Sequence, residues 1–341
     1  AIQWLQSYLS NRSQVVQVGQ GFSPIIHLDT GTPQGSSCSC LVFALFVGDL
    51  PLWIRSGLLE AYADDTFITI EADNEKDLRA KLEEEGENVL KYFASNRLVA
   101  NPAKTAMIVF RQSRDQRDLF QIKLAGECIV ETSEEKLLGV YIQSDLKWSK
   151  QSDKVTAEMN YAVSIVKRLA DHLGRKELKT IADGLVMSKL RYCLPVFAAE
   201  SVRFNESDPQ STVLQRIQRS QNEMLRALTG RKRRDHVRIS DMLKDTGFLS
   251  VNQSAAYQLL VELWKARQFE IPILGELFGR QRKDDRTLRS DSANKVSATG
   301  RDRVSLVCEK LFNMCSDRFK CTNLLKIAKI KAKALALTLP V

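Results

Sequence analysis

The sequence predicts an α+β fold, a mixed front of about 145 residues followed by an all-helical back. Three observations predict it. Short apolar runs bounded by turn residues recur as far as Leu137-Leu138-Gly139-Val140-Tyr141-Ile142. From Lys150 onward apolar residues recur every three or four positions instead, as in Val155, Met159, Ala162, Val166, Leu169 and Leu173. The charge also changes sign there: residues 1–150 carry 15 basic and 20 acidic side chains, residues 151–341 carry 35 and 21.

Taken in order, residues 1–9 read as an amphipathic helix end, with Ile2, Leu5 and Leu9 apolar. Asn11-Arg12-Ser13 is a turn and Val15-Val16-Gln17-Val18 a short strand. Residues 21–35 are loop-rich and end in Gly31-Thr32-Pro33-Gln34-Gly35-Ser36-Ser37. The apolar run 38–53, interrupted by Asp49 and Pro51, reads as a buried helix too short to span a bilayer. A β-hairpin is expected over 59–71, with Tyr62-Ala63-Asp64-Asp65 at its turn. Residues 74–95 form a helix that Asp73 or Asn74 can cap. Leu78, Leu82, Val89 and Phe93 line its apolar face, and Glu83, Glu84, Glu85 and Glu87 read as its solvated face. Residues 107–110 are a strand, 122–130 a hairpin around Ala125-Gly126, and 137–142 another strand. Leu178, Ile181 and Leu185 begin a second helix, Leu214, Ile217, Met224, Leu225 and Leu228 mark a third, and helices continue at 238–246 and 252–268. Residues 281–300 read as a flexible polar linker. A last amphipathic helix (Val304, Val307, Leu311) and a Lys/Ala/Leu-rich segment over 325–338 complete the chain.

Composition narrows the function classes. The chain has 341 residues, 44% hydrophobic and 27% charged, enough for two or three domains. Seven cysteines with no Cys-x-x-Cys pair, and histidines scattered at 27, 172 and 236, argue against structural zinc and for free thiols in a reducing compartment. The chain opens on Ala1 in patterned sequence, without an initiator Met or signal peptide, and so reads as a segment of a longer protein. An acidic front and a basic back suit a metal site followed by a polyanion-binding region, or simply a solvated basic surface.

The chemistry concentrates at Asp64-Asp65. Adjacent carboxylates repel and raise each other's pKa, and a divalent cation between them removes that cost. Hard oxygen ligands suit Mg²⁺, with phosphate oxygens completing its shell, which points to metal-assisted phosphoryl or nucleotidyl transfer. A plain Asp-rich turn is the other reading of the pair alone. Pro33-Gln34-Gly35 likewise reads as a loop offering close backbone approach and free N–H groups at a helix start, or as an ordinary turn. Lys104, between a loop and a strand, can neutralise a triphosphate or protonate leaving pyrophosphate, or be a surface lysine.

Five segments in order resemble one family. They are WLQSYLSNRSQVVQV at 4–18, Gly31-Thr32-Pro33-Gln34-Gly35-Ser36, Tyr62-Ala63-Asp64-Asp65-Thr66, Asn101-Pro102-Ala103-Lys104-Thr105 and Leu137-Leu138-Gly139-Val140. Together they resemble the reverse transcriptases of non-LTR (LINE-type) retrotransposons, from just before motif B through C, D and E into the thumb. The resemblance spans roughly residues 1–270 and is most specific over 1–150. It implies a partial polymerase palm (1–125, an antiparallel sheet with helices), a primer-grip hairpin (126–149), an all-α thumb (150–230), a helical extension with a basic cluster (231–280), a linker (281–300) and a helical tail (301–341). It implies RNA-directed DNA synthesis by two-metal nucleotidyl transfer.

The same resemblance assigns residues. Asp64 and Asp65 would bind Mg²⁺ and Tyr62 would help position the primer end. Pro33, Gln34 and Gly35 would face the templating pair and nucleotide. Lys104 would assist the leaving group, and Leu138, Gly139 and Val140 would form the primer grip. Lys167, Arg168, Arg231, Lys232, Arg233 and Arg234 would supply phosphate-binding charge, the Arg231–Arg234 run reading also as a nuclear localisation signal. The implied partners are an RNA template, a DNA primer, dNTPs and element RNA in a ribonucleoprotein, with no membrane, in nucleus and cytoplasm.

The family's motif A, with a third metal-binding Asp, and its fingers motifs would lie before Ala1. Asp29, Asp49 and Glu60 do not replace that Asp. A chain with two of three carboxylates is expected to be inactive alone. Ser36-Ser37-Cys38-Ser39-Cys40 departs from the family's more usual Leu and Pro and leaves the helix start open. Two other functions remain open at this point: a decayed or host-retained nucleic-acid-binding module without catalysis, and an unrelated metal-dependent phosphotransferase.

Overall fold

Strands in short pairs around one long helix make up the front of the chain, and helices make up the back. The computed structural model describes residues 2–101, 104–111, 119–269, 300–315 and 325–341. It divides into two compact units, Ala1–Ser133 and Glu134–Val341. Mixed helix and strand content agrees with the expected α+β class. Except for Gly300, the expected linker over 281–300 lies outside the described residues.

In the front unit, α1 (Ile2–Leu9) precedes two small antiparallel pairs. β1 (Arg12–Gln14) pairs with β4 (Ile26–Leu28), and β2 (Gln17–Val18) with β3 (Gly21–Phe22). The expected strand over 15–18 is therefore interrupted. Val16 N–H donates to Ser23 Oγ at 2.9 Å, and its carbonyl accepts from Ser23 N–H at 2.9 Å, so Val16 is held by Ser23.

The apolar run 38–53 is not one buried helix. It forms α2 (Ser39–Phe46), then a 3₁₀ turn at Leu50–Trp53 whose second residue is Pro51. Proline has no N–H to continue an α-helical ladder. Leu50 is buried, but Leu41, Leu45 and Leu52 are exposed.

β5 (Leu58–Tyr62) and β6 (Asp65–Thr69) form the expected hairpin, with Tyr62 opposite Asp65. It is followed by α3 (Glu75–Ser95), capped by Asn74, whose side-chain oxygen accepts from Asp77 N–H at 2.9 Å. β7 (Met107–Ile108), β8 (Gln121–Leu124) and β9 (Glu127–Thr132) form a sheet in the order β7-β9-β8. The strand expected over 107–110 is confined to its first two residues, parallel to β9. Ala125 and Gly126 both have positive φ, as a tight two-residue hairpin turn requires.

Helix α3 organises this unit. Leu78 and Leu82 pack with Met107, Val109, Phe120 and Ile122. Val89, Tyr92 and Phe93 pack instead with Leu50, Leu59 and Ile68. One helix thus supports both the three-stranded sheet and the acid-bearing hairpin.

The back unit opens on a hairpin, β10 (Glu134–Leu137) and β11 (Val140–Gln143). A single strand over 137–142 was the expectation. Leu138 (φ 44°) and Gly139 (φ 85°) instead reverse the chain within it. Then come α4 (Ser149–Leu169), α5 (Arg175–Ala182), a π-helical turn at Asp183–Met187, α6 (Ser188–Arg191) and α7 (Leu194–Ala198). The π turn inserts a residue and rotates the buried face. Leu185 is consequently 40% exposed, while Val186 and Met187 are buried.

Helices α8 (Thr212–Thr229), α9 (Ile239–Thr246) and α10 (Val251–Gln268) complete the bundle with helices at Gly300–Asn313 and Leu325–Ala336. α4 packs along α8, and α10 touches α7, α8 and both C-terminal helices. The expected core positions Val155, Met159, Ala162, Val166, Leu214, Ile217, Met224, Leu225 and Leu228 are all buried. No described helix is long and apolar enough to cross a membrane.

Candidate active site and nucleic-acid interface

Alternation in the β5–β6 ladder puts Leu59 opposite Ile68, both against α3, and leaves the far end of the hairpin to the acids. Ala63 and Asp64 are the turn, with Ala63 at φ 53°. Tyr62, Asp64 and Asp65 are all exposed. Neither carboxylate enters a hydrogen bond or ion pair among the described residues, so both are open to a cation. Two adjacent hard-oxygen donors on a braced hairpin fit Mg²⁺ chemistry. Among the described residues, however, no group of three or more acids, histidines or cysteines converges on a metal-sized site.

The hairpin is braced at its base by residues that the sequence reading did not single out. Glu85 of α3, expected on the solvated face, is fully buried. Its carboxylate accepts from Arg55 N–H at 3.0 Å, Ser56 N–H at 2.5 Å, Ser56 O–H at 2.8 Å and Asn88 Nδ2 at 3.2 Å. Burial alone would raise the Glu85 pKa, but bonds from the Ser56 side chain and backbone, Asn88 and Arg55 outweigh it, and the net shift is downward. Leu78, Leu82, Glu85, Val89 and Tyr92 follow one another at spacings of four, three, four and three, so helical periodicity already marked Glu85 as inward.

Gly57 closes the base. Its φ is +105°, and a Cβ there would lie 2.6 Å from the Thr69 carbonyl oxygen at the end of β6. Two turns further along the same face of α3, Tyr92 O–H donates to Asp49 at 2.5 Å. Burial, then the bond to Asp49, pushes the Tyr92 hydroxyl up to about 12. Asp49 is thereby tied to α3.

The Pro33-Gln34-Gly35 loop is a turn in which Ser36 N–H donates to the Pro33 carbonyl at 3.4 Å. Gly35 has φ +82°, with nothing within 4 Å of a Cβ. That positive φ is what the left-handed position of the turn requires. Tyr8 O–H donates to Ser36 Oγ at 2.6 Å, and Ser39 Oγ donates to the Pro33 carbonyl, so α1 and α2 fix the loop between them. The helix start left open by the Ser/Cys run falls at Ser39. Gln34 is exposed. Lys104 is exposed too, and its N–H donates to the Asn101 carbonyl at 3.0 Å. Among the described residues no hydrogen bond or ion pair joins Asp64, Asp65, Gln34 and Lys104 directly.

In the back unit the Leu138-Gly139 turn lies against Tyr192. The Tyr192 hydroxyl donates to the Leu138 carbonyl, and a Cβ on Gly139 would come within 3.3 Å of the Tyr192 ring. Gly139 thus leaves room for the Tyr192 ring. Lys154 Nζ donates to the Gly139 carbonyl at 2.6 Å. Val140 is buried, and Leu138 is exposed. Beside the turn lies an open cavity of about 320 Å³, lined by Gly139, Gln151, Lys154, Glu158, Lys189 and Tyr192.

The basic residues are divided by one carboxylate. Glu223 of α8 accepts from Lys167 at 2.7 Å, Arg226 at 3.1 Å and Arg233 at 2.8 Å. The hydrogen bond from Lys167 leads, opposed by burial and joined by Arg233, and brings Glu223 from 4.5 to about 2. Arg168, Arg231, Lys232 and Arg234 are exposed.

With this geometry in view, residues 1–142 match the reverse transcriptase (RNA-dependent DNA polymerase) family. The match covers less than half of the chain's 341 residues. A probable RNA-directed DNA polymerase from transposon BS of Drosophila melanogaster is 28% identical over 149 residues, 42% of this chain and 16% of the relative. The match to the transposon relative thus covers less than a fifth of that protein's length. No solved structure matches the chain. Asp64, Asp65, Gln34 and Lys104 all fall within the matched reverse transcriptase segment.

Proposed function

We propose that this chain is the palm segment, thumb and C-terminal extension of an RNA-directed DNA polymerase of a non-LTR retrotransposon. One observation carries the reading: two exposed, unpaired carboxylates, Asp64 and Asp65, stand at the tip of a braced hairpin inside a reverse transcriptase segment. Asp64 and Asp65 are the residues that would hold Mg²⁺. When bound, Mg²⁺ would supply alignment of the primer 3′-hydroxyl with the incoming triphosphate and stabilisation of the leaving oxygen. Tyr62 would position the primer end, Pro33, Gln34 and Gly35 would shape the nucleotide pocket, and Lys104 would meet the leaving group. Leu138, Gly139 and Val140, with the helices after them, would grip the primer duplex. The substrates are an RNA template, a DNA primer and dNTPs. Element RNA in a ribonucleoprotein and residence in nucleus and cytoplasm belong to the same reading.

Two carboxylates without a third hold metal weakly, and none joins them among the described residues. We therefore expect these 341 residues to extend no primer by themselves. Primer extension on an RNA template tests both parts. The chain alone should give no product. A protein joining it to the remaining parts of a reverse transcriptase should give product that Asp64→Ala abolishes. Product from the chain alone would overturn the first statement, and product indifferent to Asp64→Ala the second.

The net positive charge after residue 150 favours a second reading, a nucleic-acid-binding module without catalysis. Affinity for primer–template that falls steeply with salt but ignores both Mg²⁺ and Asp64→Ala would select it.

A further inference from the structure

Glu223 is the one acid on a helix face that otherwise carries arginines. Arg216, Arg219, Glu223 and Arg226 follow at spacings of three, four and three along α8, and so share that face. Arg216 is already matched by Asp153 of α4. Glu223 has a different role, because one carboxylate gathers three cations from three places. Its Oε2 takes Lys167 from the last turn of α4. Its Oε1 takes Arg226 from its own helix and both Nε and Nη2 of Arg233. Arg233 lies beyond Gly230, in a short turn closed by the Lys232 N–H to Asp235 bond at 2.7 Å.

Two of these cations are held without being hidden, while Arg226 is as covered as Glu223. The Arg233 side chain stays 80% exposed and that of Lys167 48% exposed, while Glu223 itself is 23% exposed. A guanidinium has five N–H donors, and Arg233 turns only its Nε and Nη2 edge toward Glu223. Its remaining donors face water. Three positive charges around one negative leave a surplus that suits an oxyanion.

We propose that Glu223 is a positioning residue, which orders Lys167, Arg226 and Arg233 into a single site for one backbone phosphate of a bound nucleic acid. Long basic side chains lose rotamer freedom when they grip a phosphate, and Glu223 imposes that order beforehand. The proposal rests on the nucleic-acid reading of this unit. It opposes simple charge counting, in which an acid on a binding face only repels the ligand.

Fluorescence anisotropy of a labelled RNA–DNA primer–template, measured across a series of KCl concentrations, decides between them. Glu223→Gln raises the net charge by one, yet it is expected to weaken binding several-fold. It should also flatten the log–log salt slope by about 0.7–0.9, the contribution of one phosphate. A mere loss of helix packing would lower the melting temperature without moving that slope. Equal or tighter binding by Glu223→Gln, with the slope unchanged or steeper, overturns the proposal. Should Glu223→Gln not fold, a double-mutant cycle of the exposed Lys167→Gln and Arg233→Gln replaces it. Losses that fall short of additive support one shared phosphate, and additive losses overturn it. Wild-type chain that fails to bind primer–template in a salt-dependent way overturns the nucleic-acid reading, and this proposal with it.

Discussion

Gly57 and Glu85 show how single residues fix the acid-bearing hairpin. Gly57 sits at φ +105° with the Thr69 carbonyl where a Cβ would go, so Gly57→Ala meets both backbone strain and a clash. Urea denaturation should show a loss of about 1–3 kcal/mol or more, and an unchanged midpoint would contradict the close packing. Glu85 is the buried counterpart, a carboxylate receiving the backbone of Arg55 and Ser56. Its folded pKa lies below the ordinary 4.5. Its stabilising contribution is therefore complete above that value and fades as pH falls toward and through the folded pKa. An acid titration of stability should consequently be flatter for Glu85→Gln than for wild type below pH 4.5. The same substitution should cost about 1–3 kcal/mol at neutral pH, because buried N–H groups lose a charged acceptor. Glu85 was legible from its spacing with Leu82 and Val89 but was masked by its acidic neighbours. Gly57 was not legible, since its requirement arises from Thr69, twelve positions later in the chain.

At the scale of elements, regular periodicity was read correctly and interruptions were not. The helix over 74–95, the one marked by Leu214 to Leu228, the one over 252–268 and the hairpin around Asp64 were visible because apolar spacing agrees locally. The π turn at Asp183–Met187 and the reversal at Leu138-Gly139 were missed. Both depend on tertiary partners: the reversal leans on Tyr192, and the π turn exchanges Leu185 for Val186 in the core. α10 illustrates a cap with consequences beyond its own helix. Ser250 Oγ accepts from Gln253 N–H at 3.2 Å, and the Gln253 side chain returns to Ser250 N–H while also donating to the Leu339 carbonyl. Ser250→Ala should cost about 1–2 kcal/mol in thermal or chemical denaturation. A cost near zero would mean that the buried cap is replaced by another acceptor.

For the whole molecule, the described residues after 300 are part of the helical unit and not an appendage. Ala328, Ala332 and Ala336 are buried, and the helix that carries them packs on α10. Asn252 donates to the Pro340 carbonyl at 3.0 Å, and Gln253 to that of Leu339 at 3.0 Å. Deleting residues 325–341 removes one buried and one part-buried hydrogen bond and an apolar contact. It should lower the melting temperature of that unit by about 5–10 °C in calorimetry. An unchanged transition would show that the tail is dispensable.

The account as a whole depends on Asp64 and Asp65 binding a divalent cation. Mn²⁺ added to isotope-labelled chain, with primer–template and dNTP present, tests this most directly through paramagnetic broadening of backbone NMR signals. The account predicts selective broadening centred on residues 62–65, lost in Asp64→Asn/Asp65→Asn. Broadening that spares residues 62–65, or that survives the double substitution, would contradict it.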